Sequence, residues 1–337
     1  MLSIGLDVHW KTTSVCILDH NGKIVKDKKV RGHWDQLIAF LDRELDQPCQ
    51  IVFEASCGYG VLYDALMQLK HVRRVLMAHP GQLRLIFRSK RKNDRVDARK
   101  LAKLLYLDEV PTAYVPPVQT RQWREIIEYR QGVVAKVTRA KNELRALLRM
   151  QGIVAPKSLW SRKGLAWLAA VDMPGMRDLK RKILLDELAL QMAHVKQVTK
   201  TLDAIAEKHP SVVLLRTIPG IGPRTAEAVV AYVGDPHRFR RTDSIGAYFG
   251  LVPCQDASAG SNRLVRITRE GPATVRKLLV EGAWQVIRRS PRMKARFARL
   301  CQDRKDRRKK ALVGVARHLA CCMLSMLQTG EVWREAA

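Results

Sequence analysis

Four acidic residues stand out because of the segments that they end or begin. Asp7 closes the apolar run at the start of the sequence, and Glu54 closes a second run, Ile-Val-Phe. Asp94 and Asp97 lie three residues apart in a cationic segment, a spacing that places both on one face of a helix. Hard divalent cations prefer carboxylate ligands, and paired Mg²⁺ ions commonly serve to attack phosphodiesters. The pattern therefore predicts a Mg²⁺ site made by these four residues.

The segments around the acids have the order of an RNase-H-like α/β domain. The predicted strands are Ser3–His9, Thr12–Asp19, Lys23–Arg31, Cys49–Glu54 and Arg73–His79, and the predicted helices are Trp34–Leu45, Gly60–Lys70 and Asn93–Leu107. Taken singly, an acid at a strand end or helix start is often a turn or cap residue. Four acids on suitable elements favour metal binding. An actin-like ATPase is disfavoured because the turn Val8–Lys11 lacks glycine.

The charge balance points to polyphosphate partners. The 337 residues include 61 lysines and arginines against 32 acids, a net charge of +29. The excess is spread along the whole chain, so several surfaces are expected to contact nucleic acid, among them Lys90, Arg91 and Lys92 beside the acidic pair. A membrane partner is not expected. The apolar stretch Ala311–Leu327 is interrupted by Arg317 and His318 and is predicted to be a buried terminal helix.

Cysteine and histidine usage indicates a reduced compartment and no zinc. The seven cysteines are odd in number and include no C-x-x-C pair, and the nine histidines show no metal-ligand spacing. With no signal-peptide pattern at the N-terminus, we expect a cytoplasmic protein.

The middle of the chain predicts a helical arm. The segment Val110–Pro117 is a proline-rich exit from the first domain. Apolar residues then recur at alternating spacings of four and three through 123–148 and again through 184–205, which favours a coiled coil. The partner of these helices is either internal or another subunit. The expected domains are 1–115, 116–209 and 210–337.

The segment Leu214–Val230 has the form of a helix-hairpin-helix. Gly220 and Gly222 permit a tight turn, and Arg216 and Arg224 flank it. The free amides at the start of a second helix would bind a phosphate without reading bases. A role in protein packing alone is the alternative.

Motifs near the C-terminus carry a family resemblance. Gly250-Leu-Val-Pro253 is followed by a serine, by Ile267-Thr-Arg-Glu-Gly271 and by an arginine before paired leucines, and Asn93–Ala98 has the form N-D-x-x-D-A. In this order and over nearly the whole chain, the sequence resembles the IS110 family of bacterial insertion-sequence transposases, in particular its IS1111 subgroup.

The resemblance implies a recombinase guided by a structured bridge RNA. A D-E-D-D domain binds Mg²⁺, and a serine from a mainly helical C-terminal transposase domain completes the active site and forms a covalent phosphoserine link to DNA. Alignment on Gly-Leu-Val-Pro makes Ser258, within the predicted loop Pro253–Gly260, the nucleophile. The family usually has Ser-Gly there, whereas this sequence has Ala-Ser-Ala-Gly-Ser, so Ser261 is a rival.

The resemblance also implies dimers that assemble into tetramers, and an enzyme that associates with the nucleoid when it is active. Arg263, Arg266 and Arg276 follow the serine and are expected to meet DNA. Two other functions stay open. One is a Mg²⁺-dependent nuclease or Holliday-junction-type resolvase that uses water, and the other is a non-catalytic nucleic-acid-binding protein.

Overall fold

The protein forms two compact units, residues 1–121 and residues 122–337. The structure is a computed structural model that describes residues 1–56, 58–86, 93–258 and 261–335, with 256–258 and 261–265 described by their backbone alone. Each unit has a hydrophobic core of its own. The three-part division expected from the sequence stays a prediction.

A six-stranded mixed sheet forms the centre of the first unit, in the order β3-β2-β1-β4-β5-β6. Its strands are β1 (Leu2–Val8), β2 (Thr12–Leu18), β3 (Ile24–Arg31), β4 (Cys49–Glu54), β5 (Val72–Ala78) and β6 (Thr112–Ala113). β1, β2 and β3 are antiparallel neighbours, β1, β4 and β5 run parallel, and β6 returns antiparallel to β5. An antiparallel hairpin followed by parallel strands is consistent with the predicted RNase-H-like domain.

Helices cover both faces of this sheet. They are α1 (Trp34–Glu44), α2 (Tyr59–Met67), α3 (Pro80–Ile86) and α4 (Asp94–Tyr106). Because successive strand residues point to opposite faces, Ile4 and Leu6 of β1 share a buried cluster with Leu37 of α1, while Gly5 faces α4. The odd-numbered face of β1, which also carries Asp7, therefore looks towards α4.

The second unit is mainly helical. Its elements are α5 (which begins at Val118 in the first unit and ends at Met150), α6 (Arg162–Ala170), α7 (Met176–Lys208), α8 (Pro210–Leu215), α9 (Pro223–Val233), α10 (Ser244–Tyr248), β7 (Pro253–Ser258), β8 (Ser261–Ile267), α11 (Ala273–Arg289), α12 (Pro291–Cys301) and α13 (Arg308–Thr329). The segment from Pro253 was expected to be a loop as far as Gly260. Its backbone instead pairs antiparallel with β8 as far as Ser258.

The terminal helix α13 lies in the core of the second unit. Leu319 and Met323 are fully buried, in the cluster that also contains residues of α9 and α11. By length and composition alone, the stretch Lys305–Thr329 could cross a membrane. Half of its most apolar 18-residue segment is buried within the protein, however, and the core helix of a soluble protein has the same length and composition. The expectation of a buried terminal helix is confirmed.

Helices α5 and α7 share apolar clusters at both ends. Trp123 and Ile127, near the start of α5, cluster with Leu202 near the end of α7. Leu144, near the end of α5, clusters with Leu184 near the start of α7. The two helices therefore lie antiparallel within the second unit. A coiled-coil arm in the strict sense stays a prediction.

Candidate active site

The ends of two parallel strands bring Asp7 and Glu54 to the same edge of the sheet. β1 and β4 run side by side with Leu6 opposite Phe53, and the next residue of each strand is acidic. Strands pair at a separation of about 4.8 Å. Neighbouring carboxylates at this edge are what the sequence predicted for a site of phosphodiester chemistry.

Helix α4 contributes Asp94 and Asp97 from its first turn. The cap of this helix is the preceding residue, Asn93, whose side chain accepts a hydrogen bond of 3.1 Å from the backbone N–H of Arg95. A capping side chain satisfies an otherwise unpaired amide at the helix start. Since Asn93 does this, both acids are free of the capping role.

A glycine allows α4 to lie directly on β1. A Cβ atom at Gly5 would be 2.2 Å from the carbonyl oxygen of Ala98 and 2.4 Å from the backbone nitrogen of Ala102. Any side chain there would push the helix away from the strand. The close packing of α4 on β1 brings the first turn of the helix, with its two acids, next to Asp7.

The charges of the other three acids act on Asp7. Burial raises the pKa of Asp7, whose side chain is only 16% exposed. His9 opposes this shift, whereas the negative charges of Asp94, Asp97 and Glu54 each raise the pKa of Asp7 further. Repulsion of this kind weakens with distance, so these three acids lie in the neighbourhood of Asp7, and we call the four together the acidic cluster. Within it, ligand atoms of Asp7 and Asp94 come within 4.8 Å of one another. A metal site shared by all four acids stays a prediction.

His9 joins this cluster. Its Nε2 atom lies 3.5 Å from Oδ2 of Asp7 and 3.8 Å from Oδ1 of Asp94. One ligand atom from each of these three residues lies within 4.8 Å of the other two, which is close enough to hold a metal ion. Carboxylate oxygens suit Mg²⁺, while an imidazole nitrogen suits transition metals better. The cluster fits a divalent cation, and Mg²⁺ in particular stays a prediction.

Two lysines neutralise part of the acidic charge. Nζ of Lys29 donates a hydrogen bond of 3.0 Å to Oδ2 of Asp94, and this bond holds the pKa of Asp94 below its usual range. Nζ of Lys100 lies 3.4 Å from Oδ1 of Asp97. These ion pairs orient both carboxylates while leaving them partly exposed to solvent.

Sequence reasoning missed His9 and Lys29. A signal for His9 existed, since a residue two positions after Asp7 in an extended chain returns to the same side. Lys29 gave no local signal, because its contact with Asp94 depends on the position of β3 in the sheet.

The predicted nucleophile lies on the hairpin of the second unit. Ser258 is the last residue of β7 and pairs directly with Ser261, the first residue of β8. The backbone of Arg263 belongs to β8, where it pairs with Asp256. The structure does not describe the side chains of Ser258, Ser261 and Arg263. Lys90, Arg91 and Lys92 lie outside the described residues altogether.

Some of the other predicted nucleic-acid contacts are open to solvent. Arg216 and Arg266 are exposed. Gly222 is also exposed, and a Cβ atom there would meet nothing within 4 Å. Gly220 has φ +93° and packs against the backbone of Gln285 in α11, so that the turn rests on the core of the second unit.

Two predicted DNA-binding arginines are instead engaged within the protein. Nη2 of Arg224 donates a hydrogen bond of 2.7 Å to Asp203 and lies 3.2 Å from the buried Glu227. Nη1 of Arg276 donates hydrogen bonds of 2.9 and 2.8 Å to the backbone carbonyl oxygens of Phe249 and Glu270. Both guanidinium groups are therefore partly committed to intramolecular partners.

Two family profiles match separate regions of the chain. Residues 4–151, which contain all four acids, match a D-E-D-D-type family profile described as "Transposase". Residues 212–298 match the profile "Transposase IS116/IS110/IS902 family". Both regions lie where the sequence carries its two sets of motifs.

Individual relatives span most of the chain. The transposase for insertion sequence element IS1111A of Coxiella burnetii is 26% identical over 85% of this chain and 78% of its own length. A probable family 20 transposase of Pseudomonas aeruginosa is 27% identical over 93% of this chain and 88% of its own length. The transposase for insertion sequence element IS1328 of Yersinia enterocolitica is 24% identical, with coverages of 88% and 86%. The chain belongs to the IS110 family of insertion-sequence transposases, and its residues 4–151 match that family's D-E-D-D-type profile.

Proposed function

We propose that this transposase cuts and rejoins DNA through a Mg²⁺-dependent cluster and a serine nucleophile, guided by a bridge RNA. Asp7, Glu54, Asp94 and Asp97 would hold the metal, and Ser258 would attack the DNA. The observation that carries the proposal is the close approach of Asp7 and Asp94, with Glu54 at the end of the neighbouring strand and Asp97 in the same helical turn as Asp94, inside the region that matches the D-E-D-D profile.

The chemistry follows from what the residues can do. Divalent cations in the cluster would withdraw charge from the scissile phosphate and ease deprotonation of the serine hydroxyl. Lys29 and Lys100 keep two of the carboxylates oriented. The serine Oγ forms a bond to phosphorus, one phosphorus–oxygen bond of the strand breaks, and the released strand oxygen takes up a proton. Attack by a strand hydroxyl on the phosphoserine rejoins DNA and restores the serine.

The nucleophile is tested by trapping the covalent intermediate. DNA carrying an element end is incubated with enzyme and Mg²⁺, and the products are separated under denaturing conditions. We expect an adduct with the wild type and with Ser261→Ala, and none with Ser258→Ala. The reverse pattern would make Ser261 the nucleophile. Free DNA ends without an adduct would favour the water-using nuclease, and intact DNA would favour a binding protein.

The metal cluster is tested by removing charge from its acids. Asp7→Asn and Asp97→Asn should abolish strand cleavage, because both substitutions keep the size of the side chain and remove its charge. DNA affinity should stay within about tenfold, since phosphate-binding cations lie elsewhere. Cleavage by either variant at the wild-type rate would overturn the assignment. Comparison of Mg²⁺ with other divalent cations would identify the ion.

The helix-hairpin-helix is proposed to hold the DNA backbone without reading its sequence. Gly222 caps α9 and, within the described structure, offers no side-chain hydrogen bond to the first amides of that helix. Those amides and the exposed Arg216 are available to a phosphate.

Assembly through the arm is supported by a groove between α5 and α7. This groove of about 1170 Å³ is lined by Val134 and Val137 of α5 and by Val195 of α7, among other residues. These three valines are positions of the predicted heptads, and they are only partly buried. We propose that a second copy packs here as dimers assemble into tetramers. In sedimentation experiments, Val137→Asp should then give dimers where the wild type gives tetramers, and tetramers in both would contradict the proposal.

The RNA partner is proposed from the family resemblance and is supported by the net charge of +29. RNA that co-purifies with the protein and survives a moderate salt wash should be enriched in one structured species encoded beside the gene. Recovery of random cellular RNA alone would count against guidance by a bridge RNA. Such an enzyme would work in the cytoplasm, at the nucleoid.

A further inference from the structure

An exposed tryptophan stands at the same edge of the sheet as the acidic cluster. Trp10 lies in the turn between β1 and β2 and is 68% exposed. It directly follows His9, which contacts Asp7 and Asp94. Trp10 therefore lies on the same short turn as a residue that contacts two of the acids.

The backbone around Trp10 is fixed on both sides. The N–H of His9 donates a hydrogen bond of 3.0 Å to the carbonyl oxygen of Thr12, which closes the turn. The N–H of Gly32 donates one of 2.9 Å to the carbonyl oxygen of Lys11, which ties the turn to the end of β3. The ring thus projects from a braced turn.

Two aromatic side chains fix the orientation of the indole. Trp10 meets His33 edge to face at a centroid distance of 4.6 Å and Trp34 at 5.7 Å. His33 and Trp34 are themselves stacked at 5.0 Å, and Trp34 is buried. In this arrangement Trp10 is supported on one side, while most of its surface faces solvent.

The aromatic group also borders the segment that follows Glu54. Gly58 has φ +77°, and a Cβ atom at this position would lie 2.4 Å from the ring of Trp34. Gly58, four residues after Glu54, therefore lies directly against the aromatic group. Acids and aromatic rings share one edge of the first unit, the acids on β1, β4 and α4 and the rings on the β1–β2 turn and the start of α1.

We propose that Trp10 binds an unstacked DNA base beside the scissile phosphate. This inference rests on the proposed function, since it takes the acidic cluster as the place where the phosphodiester enters. A strand that enters the cluster must leave regular duplex stacking, and its neighbouring base then needs an apolar surface. A tryptophan face supplies that surface for any base, because stacking requires only the π-face. Trp10 acts as a positioning residue and takes no part in bond making.

A double-mutant cycle tests the contact. The affinities of wild-type protein and Trp10→Ala are measured for a short oligothymidylate and for an abasic strand of the same length. Both ligands present the same phosphates, so only base contacts differ. Trp10→Ala should weaken binding of the oligothymidylate by about 5- to 150-fold, the value of one stacked base, and leave binding of the abasic strand unchanged. Trp10→Phe should restore part of the loss.

Controls separate this proposal from folding and from the proposed function. Val25→Ala removes a similarly exposed apolar side chain near the opposite edge of the sheet and should change neither affinity. Thermal unfolding shows whether Trp10→Ala folds, and Trp10→Phe carries the test if it does not. Equal losses of affinity for the oligothymidylate and the abasic strand would overturn the base contact. With an oligouridylate as a further ligand, a loss of affinity for this RNA but not for the oligothymidylate would overturn the contact with DNA. Such a result would leave the cleavage tests of Asp7 and Ser258 unaffected.

Discussion

Substitution of Gly5 by alanine should damage the candidate site without touching any of its charged groups. The added Cβ atom would lie 2.2 Å from the carbonyl oxygen of Ala98 and 2.4 Å from the backbone nitrogen of Ala102. Ordinary contacts of a Cβ atom begin at about 3.4 Å, so α4 must move away from β1 by about 1 Å. Both neighbours are backbone atoms of a helix, which no change of rotamer can move.

Two quantities follow from that displacement. Overpacking a close-packed interior costs about 1–3 kcal/mol, and we expect the upper end because the clash is with backbone. The same movement carries Asp94 and Asp97 away from Asp7, and a misplacement of about 1 Å commonly costs about 100-fold in rate. Gly5→Ala should therefore lower both the free energy of unfolding and the rate of DNA cleavage.

Gly132→Ala provides the matched control. Gly132 lies within α5, and a Cβ atom there would meet nothing within 4 Å. Replacing glycine by alanine inside a helix stabilises it by about 0.5–1 kcal/mol. Urea unfolding and cleavage of an element end in Mg²⁺ would be measured for both variants. If Gly5→Ala unfolded and cleaved like the wild type, α4 could not lie on β1 as described, and the argument that this contact positions the two acids would be refuted.

Two further predictions concern charged groups of the second unit. Burial raises the pKa of Glu227 to about 8 against the attraction of Arg224 and Arg130. The folded state therefore holds a proton that the unfolded state has lost, and the free energy of unfolding should fall from pH 4.5 to about 8, by at most about 1.4 kcal/mol per pH unit. Glu227→Gln should remove this decline in urea titrations at several pH values. Arg276→Ala should lower the free energy of unfolding by about 2 kcal/mol and leave the salt dependence of DNA binding unchanged. Arg266→Ala, at an exposed position, should leave the free energy of unfolding unchanged and make the salt dependence of DNA binding shallower. A shallower salt dependence in both variants would show that Arg276 also contacts phosphate.

The sequence predicted the first unit well because its signals are local. Alternating apolar residues specify β1, β2 and β3, and the Asn21-Gly22 turn joins β2 to β3. The observed ends of these strands differ from the expected ones by at most one residue. The short helix α3 was missed because it is seven residues long and gives too few turns for a periodic pattern. The β7 strand was taken for a loop because its residues are small or polar, and only pairing with β8 makes it extended.

In the candidate site, too, residues with a local sequence signal could be predicted, and residues whose contacts depend on the tertiary fold could not. The placement of its acids could be predicted because each ends a strand or begins a helix, and parallel strands bring their ends together, while their role as metal ligands stays a prediction. Lys29 could not be predicted as a partner, since its contact with Asp94 depends on the order of strands in the sheet, whereas the position of His9 two residues after Asp7 was a local signal that went unused. The roles of Arg224 and Arg276 were equally hidden. A basic residue that binds a carbonyl oxygen inside the protein looks the same in sequence as one that binds a phosphate.

The distribution of charge gives a physical reason for the proposed metal dependence. The chain carries +29 overall and attracts phosphates over most of its surface, yet the cluster of four acids repels them. Lys29 and Lys100 pair with Asp94 and Asp97 and offset only half of the negative charge. A DNA backbone held by the surrounding cations would meet net repulsion at the acids themselves. Divalent cations would reverse the sign of that local field, so cleavage should need them far more than binding does.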